Sequence, residues 1–543
     1  MSRNYSVLLI LTLMGGTLCT ASVGPTLQDV HGDGFLERYD GGRLLHVKGE
    51  PRTIGIQYGY LLADELTELF PVLREKFTAM YGLAPELYYI VRDLIVIAYT
   101  AYLPADIMEE LQGILIGVEE RRGHTPDFEL SDLIMVNCLI DAAATMELAT
   151  FGCSGFAAWG PLTEAGKLFS TRNIDLFTGY GLEDYTLVTI VKQTSKTPFT
   201  NVGFVGMIGS IAGMNGNGMS FAQIWGYSTD TSFGTPWPIT ARKILQEADA
   251  ISDVIHLFET AHRTYGSNFV FSDAQHLNGV CLETTATLCP HFFDDDPGED
   301  QATYNGECYA IRIPYAVFRA SVVLDQTVRS MQYSNNGPDG DPRTTEGYIV
   351  RYKGQADRIL DLRDRGIPID AQQAVRISRE VAAPGESMLC VAYANSDLEL
   401  WAAYSSIDAE GIVHDACDQP YRQIDIDHYL PTIHLDMTST MLRTGDTHEL
   451  VVRTDNIGHE AALDLYLALD TSFGLFYYPT FGSRPESIRI TTAHGERSFP
   501  RAEVSFPMTA EVPTGPYTWL AALVEPVTGR PVDIAIVEFT VWH

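Results

Sequence analysis

A cysteine that directly follows a glycine deep inside the chain is the feature that most constrains this protein. Gly152 and Cys153 stand far from the first residue, so Cys153 becomes N-terminal only if the chain is cut in front of it. That cut would give Cys153 a free α-amino group beside its thiol, and one residue would carry both nucleophile and base. The predictions for the rest of the chain depend on the Gly152–Cys153 bond.

Two charged residues follow at a spacing that suits such a thiol. Arg172 and Asp175 lie in the tetrapeptide Arg-Asn-Ile-Asp, after a segment with strand character. An α-amine with a pKa of about 8 and a thiol with a pKa of about 8.5 exchange a proton at little cost. Arg172 would keep the thiol ionised, and Asp175 would orient the amine. The alternative is a buried structural cysteine beside an unrelated ion pair on the surface.

Three further positions offer the polar groups that an amide-cleaving site needs. Asn215 lies in the glycine-rich turn 213–219 and is a candidate donor to an oxyanion, although the same pattern is typical of a plain hairpin turn. Asn335 follows as a second amide donor or as part of an ordinary loop. Arg351 is either a second cation of the site or a solvated helix residue.

Charge and composition limit the functional class. The net charge of −34 at neutral pH argues against a nucleic-acid partner, because its phosphates would be repelled. A chain of 543 residues is too long for one ordinary core and predicts two or three units. No C-x-x-C pair occurs, and the acidic run at residues 294–296 lacks a calcium-loop pattern. We therefore expect no metal and no cofactor.

The first 21 residues have the pattern of an export signal. Arg3 is followed by an apolar run over residues 7–14 and by small residues at positions 20–21. The run is too short to span a bilayer and no later segment is long enough, so no membrane span is expected. Cys19 raises the alternative of a lipid anchor, but Leu18 is an unusual residue before such a site. The prediction is an exported protein, periplasmic or extracellular.

Export also changes how the other cysteines are interpreted. Seven remain after the signal, an odd number that leaves at least one thiol unpaired even where disulfides form. We expect Cys153 to be the unpaired residue.

Three zones of the sequence differ in their hydrophobic patterns. Residues 28–152 begin with a strand pattern and turn helical, residues 153–425 mix strand and helix patterns, and residues 430–543 hold strand patterns separated by turn residues. The last zone predicts a small all-β sandwich domain. Within the middle zone, helices are expected at residues 241–261 and 348–364.

The ordered set of motifs resembles a known family. Gly-Cys-Ser, Arg-Asn-x-Asp, Gly-Met-Asn-x-x-Gly and Ser-Asn-Asn occur in that order. Together they resemble the penicillin acyltransferase-like (acyl-CoA:6-aminopenicillanic acid acyltransferase) peptidase branch of the N-terminal nucleophile (Ntn) hydrolases, which is related to the choloylglycine hydrolases. Residues 47–51 and 54–59 resemble the prosegment of that branch. The resemblance covers about residues 40–410, so the C-terminal zone lies outside it.

The resemblance implies a fold and a set of roles. The fold is α+β, an αββα four-layer Ntn sandwich in which residues 28–152 form a mainly helical prosegment and residues 153–425 the catalytic part. Autocatalytic cleavage would give an α/β heterodimer without cofactor or metal. The implied site comprises Cys153 as nucleophile and base, Arg172 and Asp175 as its activating pair, Asn215 and Asn335 as oxyanion donors, Arg351 matched only by its position after Asn335, and Asn268 as an alternative pocket residue.

The predicted function is that of an exported, self-processing cysteine amidohydrolase that cuts a linear amide bond through a thioester on Cys153. An acyltransferase that passes the acyl group to an amine is the alternative within the same chemistry. An alternative from another class is a catalytically silent binding or surface-adhesion module. The expected partner is a small-molecule amide; N-acyl amides, β-lactam-like amides, bile-salt-like conjugates and small peptides stay open as substrates.

Overall fold

The computed structural model describes residues 25–39, 42–80, 82–145, 152–176, 178–179, 181–332 and 345–542. The predicted export signal at residues 1–21, with Cys19, lies outside these ranges, as does Asn335. In the described part of the chain, no helix combines the length and the apolar character needed to cross a membrane.

The described residues form ten α-helices, five before Cys153 and five after it. These are α1 (Pro51–Leu61), α2 (Ala63–Met80), α3 (Leu87–Tyr99), α4 (Ala105–Arg122), α5 (Leu130–Thr145), α6 (Trp237–Glu247), α7 (Ile251–Thr260), α8 (Gln326–Met331), α9 (Thr345–Asp364) and α10 (Ala371–Val381). The prosegment predicted at residues 28–152 therefore consists mainly of helices, preceded by three strands.

The larger of the two extended sheets in the first 425 residues has ten strands. In spatial order they are β1 (Thr26–His31), β2 (Gly34–Tyr39), β3 (Gly42–Gly49), β6 (Thr186–Gln193), β7 (Phe199–Phe204), β8 (Gly213–Asn215), β9 (Met219–Trp225), β10 (Ser267–Asp273), β11 (Asn278–Thr284) and β12 (His291–Phe292). Neighbours are antiparallel except β3 and β6, which run parallel with Leu44 opposite Val188. This parallel pair joins the strands that precede Cys153 to those that follow it.

The second extended sheet carries Cys153. Its six strands are, in spatial order, β15 (Ala316–Ala320), β4 (Gly152–Ala158), β5 (Phe169–Asp175), β16 (Ser387–Ala394), β17 (Glu399–Tyr404) and β20 (Arg422–Asp425). Every residue of β4, β5 and β16 is buried, as expected for strands covered on both faces. The two sheets approach closely, because a Cβ added at Gly155 of β4 would lie 2.3 Å from the Ala222 Cβ of β9.

Small residues allow two helices of the N-terminal zone to cross in contact. A Cβ added at Gly55 of α1 would lie 2.0 Å from the Glu110 carbonyl oxygen of α4, and one at Gly59 would lie 2.0 Å from the Ile114 carbonyl oxygen. No larger side chain fits there without a backbone shift. The glycines of the predicted prosegment motif thus serve close helix packing.

From Thr432 to Trp542 the described residues form strands and no helix. One sheet contains β21 (Thr432–Met437), β23 (Thr447–Asn456) and β27 (Glu496–Pro507); the other contains β22 (Met441–Arg443), β29 (Pro531–Trp542), β28 (Gly515–Val524), β24 (Ala461–Thr471), β25 (Gly474–Tyr477) and β26 (Ser487–Thr492). Two short pairs complete the strands, namely β13 (Thr303–Tyr304) with β14 (Glu307–Cys308) and β18 (Ser406–Ile407) with β19 (Val413–His414). Residues of both C-terminal sheets share an apolar core that includes the fully buried Trp519.

The predicted α+β class is confirmed by this mixture of helices and sheets. The helix expected at residues 241–261 is wrong in one respect, because two helices occupy that stretch. Ala248 is extended, and the Asp253 carboxylate accepts the backbone N–H groups of Asp249 and Ala250 at 3.0 Å each, which starts α7. The four-layer arrangement and the separate C-terminal sandwich domain stay predictions.

The seven cysteines after the predicted signal are free thiols. They are Cys138, Cys153, Cys281, Cys289, Cys308, Cys390 and Cys417. Four of the seven besides Cys153 are buried, where each takes part in apolar packing.

Candidate active site

Antiparallel pairing of β4 with β5 brings the first predicted site residues together. Gly152 lies opposite Asp175, and Cys153 lies opposite Ile174. Successive side chains alternate across a strand, so Arg172 and Asp175 leave opposite faces of β5. Cys153 is 4% exposed and Asp175 is fully buried, so this end of the sheet excludes bulk water.

Arg351 reaches the same place from helix α9. One of its terminal nitrogens, Nη2, donates to Oδ2 of Asp175, while Nε donates to the Val381 carbonyl oxygen at 2.7 Å. The other terminal nitrogen, Nη1, is buried without a hydrogen-bond partner among the described residues. A Cβ added at Gly152 would lie 2.6 Å from that nitrogen. The structure thus places Arg351 beside the bond predicted to be cut.

The Asp175 carboxyl is held in a low-dielectric setting. Burial raises its pKa above the ordinary value, and the Arg351 guanidinium and the Ala383 N–H, which donates at 3.3 Å, oppose that rise. Arg172 also acts against it. Removal of the Arg351 charge would therefore favour the protonated acid.

Arg172 points between the two sheets. Its Nη2 donates to Oε1 of Gln223 at 3.3 Å, and its Nη1 donates to the Asn173 carbonyl oxygen at 2.9 Å. The Gln223 amide in turn donates to Oγ of Ser267 at 3.0 Å. Sequence reasoning missed Gln223. The signal that could have found it is a polar residue inside the otherwise mainly apolar strand β9, where a buried amide needs partners.

Asn215 does not face this site. Its side-chain N–H donates to the Leu245 carbonyl oxygen at 3.1 Å, and its oxygen accepts the backbone N–H groups of Asn217 and Met219 at 3.0 Å each. The amide oxygen therefore builds its own turn, and the side-chain N–H ties that turn to helix α6. The hairpin alternative for this motif describes the geometry, and no oxyanion role follows from it.

Asn268 also serves a structural contact. Its side-chain N–H groups donate to the carbonyl oxygens of Ala320 and Val322 at 2.9 Å each, which ties β10 of the larger sheet to the end of β15. It is not among the residues that line the cavity beside Cys153. The alternative that Asn268 lines the pocket thus has no support in the structure.

Cys153 opens into an apolar cavity of ≈ 160 Å³. Arg172, Asp175 and Gln223 are its polar neighbours in the cavity wall, and Lys76 is a further charged one. Helices α2 and α5 supply much of the apolar lining, which includes Leu73, Phe77, Met80, Met135, Val136, Leu139, Ile140 and Ala143. The opposite wall includes Trp225, Trp237, Phe204 and Met388. Such a cavity suits an apolar ligand group next to the Cys153 side chain.

One group of acidic and thiol side chains lies apart from this cavity. The ligand atoms of Asp415, Cys417 and Asp418 lie within 4.8 Å of one another, the one such cluster of three in the described ranges. An Asp415 oxygen already accepts the Gly385 N–H at 2.6 Å. Nothing beyond proximity points to an ion there.

Comparison with known proteins finds a family match for part of the site. Residues 162–288, which contain Arg172, Asp175 and Gln223, match the family model described as acyl-coenzyme A:6-aminopenicillanic acid acyl-transferase. This part of the chain is similar to that family. The resemblance inferred from the motifs is thereby confirmed, and the family supports an enzyme of acyl transfer or amide hydrolysis.

Individual relatives are distant. An uncharacterised protein of Archaeoglobus fulgidus is 23% identical over 267 residues, which cover 46% of this chain and 44% of that protein. This chain thus spans less than half the length of that relative. Two solved structures are similar at a TM-score of 0.33 each. One is a Caenorhabditis elegans N-acylethanolamine-hydrolyzing acid amidase ortholog, 13% identical, with the match covering 45% of this chain and 93% of that one. The other is a mutant of conjugated bile acid hydrolase from Clostridium perfringens, 12% identical, with the match covering 50% of this chain and 92% of that one.

Proposed function

We propose that the protein is an exported, self-processing cysteine amidase that cleaves N-acyl amides with an apolar acyl group. The observation that carries this proposal is the position of Cys153, in the wall of an apolar cavity that Arg172 and Asp175 also line. The αββα layering of the two extended sheets with their helices, and a C-terminal β-sandwich, belong to the same proposal. So does export, which rests on residues 1–21.

Maturation is the first stage. The Cys153 thiol attacks the Gly152 carbonyl carbon, a C–S bond forms, and the C–N bond breaks as the Cys153 nitrogen takes the proton from the thiol. Water then opens the Gly152 thioester and leaves a Gly152 carboxylate. Gly152 suits this step because a Cβ there would meet the Arg351 guanidinium. The product is an N-terminal piece and a chain that begins with Cys153.

Turnover is the second stage. The thiolate attacks the substrate carbonyl while the acyl chain occupies the apolar cavity, and the α-ammonium of Cys153 gives a proton to the leaving amine. Arg172 and Arg351 place positive charge near the thiolate and the new amino terminus, and Asp175 accepts a hydrogen bond from the α-ammonium. Water completes hydrolysis of the thioester. An amine in its place completes acyl transfer, which uses the same residues.

Mass spectrometry of the purified protein tests the first stage. The proposal expects two chains, the second beginning at Cys153, and expects the Cys153→Ala variant to stay intact. Cys289→Ala is the matched control, because Cys289 is a half-buried thiol that does not line the cavity, and this variant should process normally. A parent protein that stays intact after long incubation, and that behaves like Cys153→Ala, would support a silent binding module instead.

A substrate panel tests the second stage. N-acyl amino acids with acyl chains of increasing length should be hydrolysed, and the rate should rise as the chain fills the cavity. Parallel reactions with an added acceptor amine separate the two activities. Transfer predominates if the acylated acceptor forms faster than the free acid. An absence of both products with every member of the panel contradicts the amidase.

A further inference from the structure

Asp533 lies between two buried lysines that come from opposite sides of the predicted cut. Its Oδ2 accepts from Nζ of Lys48 at 2.8 Å, and its Oδ1 accepts from Nζ of Lys192 at 2.9 Å. Lys48 and Lys192 are register partners in the parallel pair β3 and β6. All three residues are buried, with exposed fractions of 8%, 7% and 3% for Lys48, Lys192 and Asp533. One C-terminal carboxylate therefore pairs with a lysine from each piece, and Oδ2 of Asp33 lies 3.6 Å from Nζ of Lys48 as a second acidic neighbour.

An apolar contact joins the same parts of the molecule. Val30 and Phe35, from the hairpin of β1 and β2, pack in one buried cluster with residues of the C-terminal strands. The C-terminal members of that cluster are Ala468, Tyr477, Leu520, Ala522, Val524 and Ile534. Beside it, the Ile536 N–H donates to Oδ1 of Asp33 at 2.8 Å. The first strands of the chain are thus bound to its last strands by packing, a hydrogen bond and buried charge.

We propose that the C-terminal region, residues 432–542, is a binding surface that, together with the β3–β6 pair, retains the N-terminal piece, residues 25–152, after the chain is cut. The inference rests on the cleavage proposed above and assigns a role to a region that lies outside the family match. The C-terminal region stays covalently joined to Cys153 and its strands, so it clamps the separate piece onto the catalytic part. The partner that this surface fits is the β1–β3 segment of the same chain.

Retention matters because the N-terminal piece carries a large part of the cavity wall. Helices α2 and α5 supply Leu73, Phe77, Met135 and Leu139 to its wall. Loss of the piece would open the acyl site to water and remove its apolar surface. Breaking one partner of a buried charge pair leaves a desolvated charge, so the loss of Asp533 weakens the clamp strongly. Activity after the cut should then depend on protein concentration.

The experiment compares Asp533→Asn with Asp464→Asn. Asp464 pairs with Arg489 inside the C-terminal sheets at 2.6 Å, so its variant removes the same charge from the same region without touching the N-terminal piece. After processing, each protein is passed over a sizing column at several dilutions in mild urea. The dissociation constant of the N-terminal piece should rise roughly tenfold or more in Asp533→Asn only, with a parallel loss of amidase activity on dilution.

A second set of proteins separates this inference from the proposed cleavage. In a Cys153→Ala background, a recognition sequence for a site-specific protease replaces residues 146–151. The added protease then cuts the chain there, independently of Cys153. If the parent never cuts itself, the proposed function fails, but the clamp is still measured here. Equal retention of the N-terminal piece in Asp533→Asn and Asp464→Asn overturns the clamp. Should Asp533→Asn fail to fold, Val30→Ala and Ile534→Ala give the same readout through the apolar cluster.

Discussion

Arg351 lies directly over Gly152: a Cβ on Gly152 would stand 2.6 Å from Nη1 of the guanidinium. The Gly152→Ala variant therefore forces either the arginine or the strand end to move. Arg351 also binds Asp175, so the shift disturbs the ion pair that lies beside Gly152. We expect the rate of processing to fall at least about tenfold, since small displacements at a reacting centre cost that much. A time course by mass spectrometry measures it.

The control for that variant is Gly354→Ala on the same helix as Arg351. A Cβ at Gly354 would lie 3.5 Å from the Val381 side chain, an ordinary contact distance, so the helix keeps its place. Processing of this control should match that of the parent protein. Equal rates in Gly152→Ala and Gly354→Ala would show that the approach of Arg351 to Gly152 has no bearing on the cut.

Removal of the Arg351 charge should lower both the stability and the rate of processing, and a second substitution should restore only the stability. Arg351→Met leaves the Asp175 carboxylate buried without its ion-pair partner, which should lower the free energy of unfolding by about 3 kcal/mol. Asp175→Asn added to that variant should restore much of the stability, because no buried charge is left unpaired. Processing should stay slow in both. Urea unfolding and mass spectrometry provide the two readouts, and normal processing in the double variant would contradict a role for the pair.

The local part of this site was predictable from sequence. Cys153, Arg172 and Asp175 fall on two strands that are consecutive in the chain, so antiparallel pairing of these strands brings Gly152 opposite Asp175. Arg351 comes from a helix nearly two hundred residues later, and only its position after Asn335 suggests it. Its contact with Asp175 depends on how α9 packs on the sheet, which no local pattern encodes.

The errors have the same origin. The motif around Asn215 predicts a donor because it is rich in glycine and amide, but those features also build a turn, and the structure uses them that way. Gln223 escapes prediction because a buried polar residue in a strand reveals its partner only once the second sheet is in place. The cavity itself combines α2, α5 and both sheets, so its apolar character could not be read from any one segment.

Asn215→Ala tests whether this asparagine serves structure alone. The variant loses three side-chain hydrogen bonds in a buried turn, which should reduce the free energy of unfolding by roughly 1–3 kcal/mol. Below the unfolding transition, kcat should change less than about threefold, because the removal of a true oxyanion donor costs about a hundredfold or more. Thermal unfolding and steady-state kinetics at one temperature give both values. A large fall in kcat in a fully folded variant would restore the donor role.

Asp141 of α5 should make stability depend on pH. Burial raises the pKa of the Asp141 carboxyl to about 7. The Thr264 hydroxyl at 2.5 Å and the backbone N–H of Trp237 at 3.1 Å donate to it and oppose that rise. The folded state therefore keeps a proton that the unfolded chain releases above about pH 4. The contribution of Asp141 to the free energy of unfolding is full below that pH and falls as the pH rises towards 7, by up to about 1.4 kcal/mol per pH unit. Urea unfolding between about pH 4.5 and 7.5 should show this fall, and Asp141→Asn should flatten it. An identical slope in the variant would assign the effect to other groups.

The length of the acyl group accepted should depend on Ala143. This residue lies on α5 in the wall of the cavity that holds Cys153, and Phe at this position would extend into the space. Each methylene of the acyl chain that is no longer buried in the cavity weakens the binding free energy by about 0.8 kcal/mol. If about three methylenes lose their contact, the substrate binds roughly fiftyfold more weakly. Ala143→Phe should therefore lower kcat/KM for long-chain N-acyl amino acids by that order and leave short-chain substrates within about threefold. Met135→Ala, which enlarges the same cavity, should shift the preference towards longer chains.

Parallel losses for short and long chains in both variants would mean that the acyl group binds elsewhere.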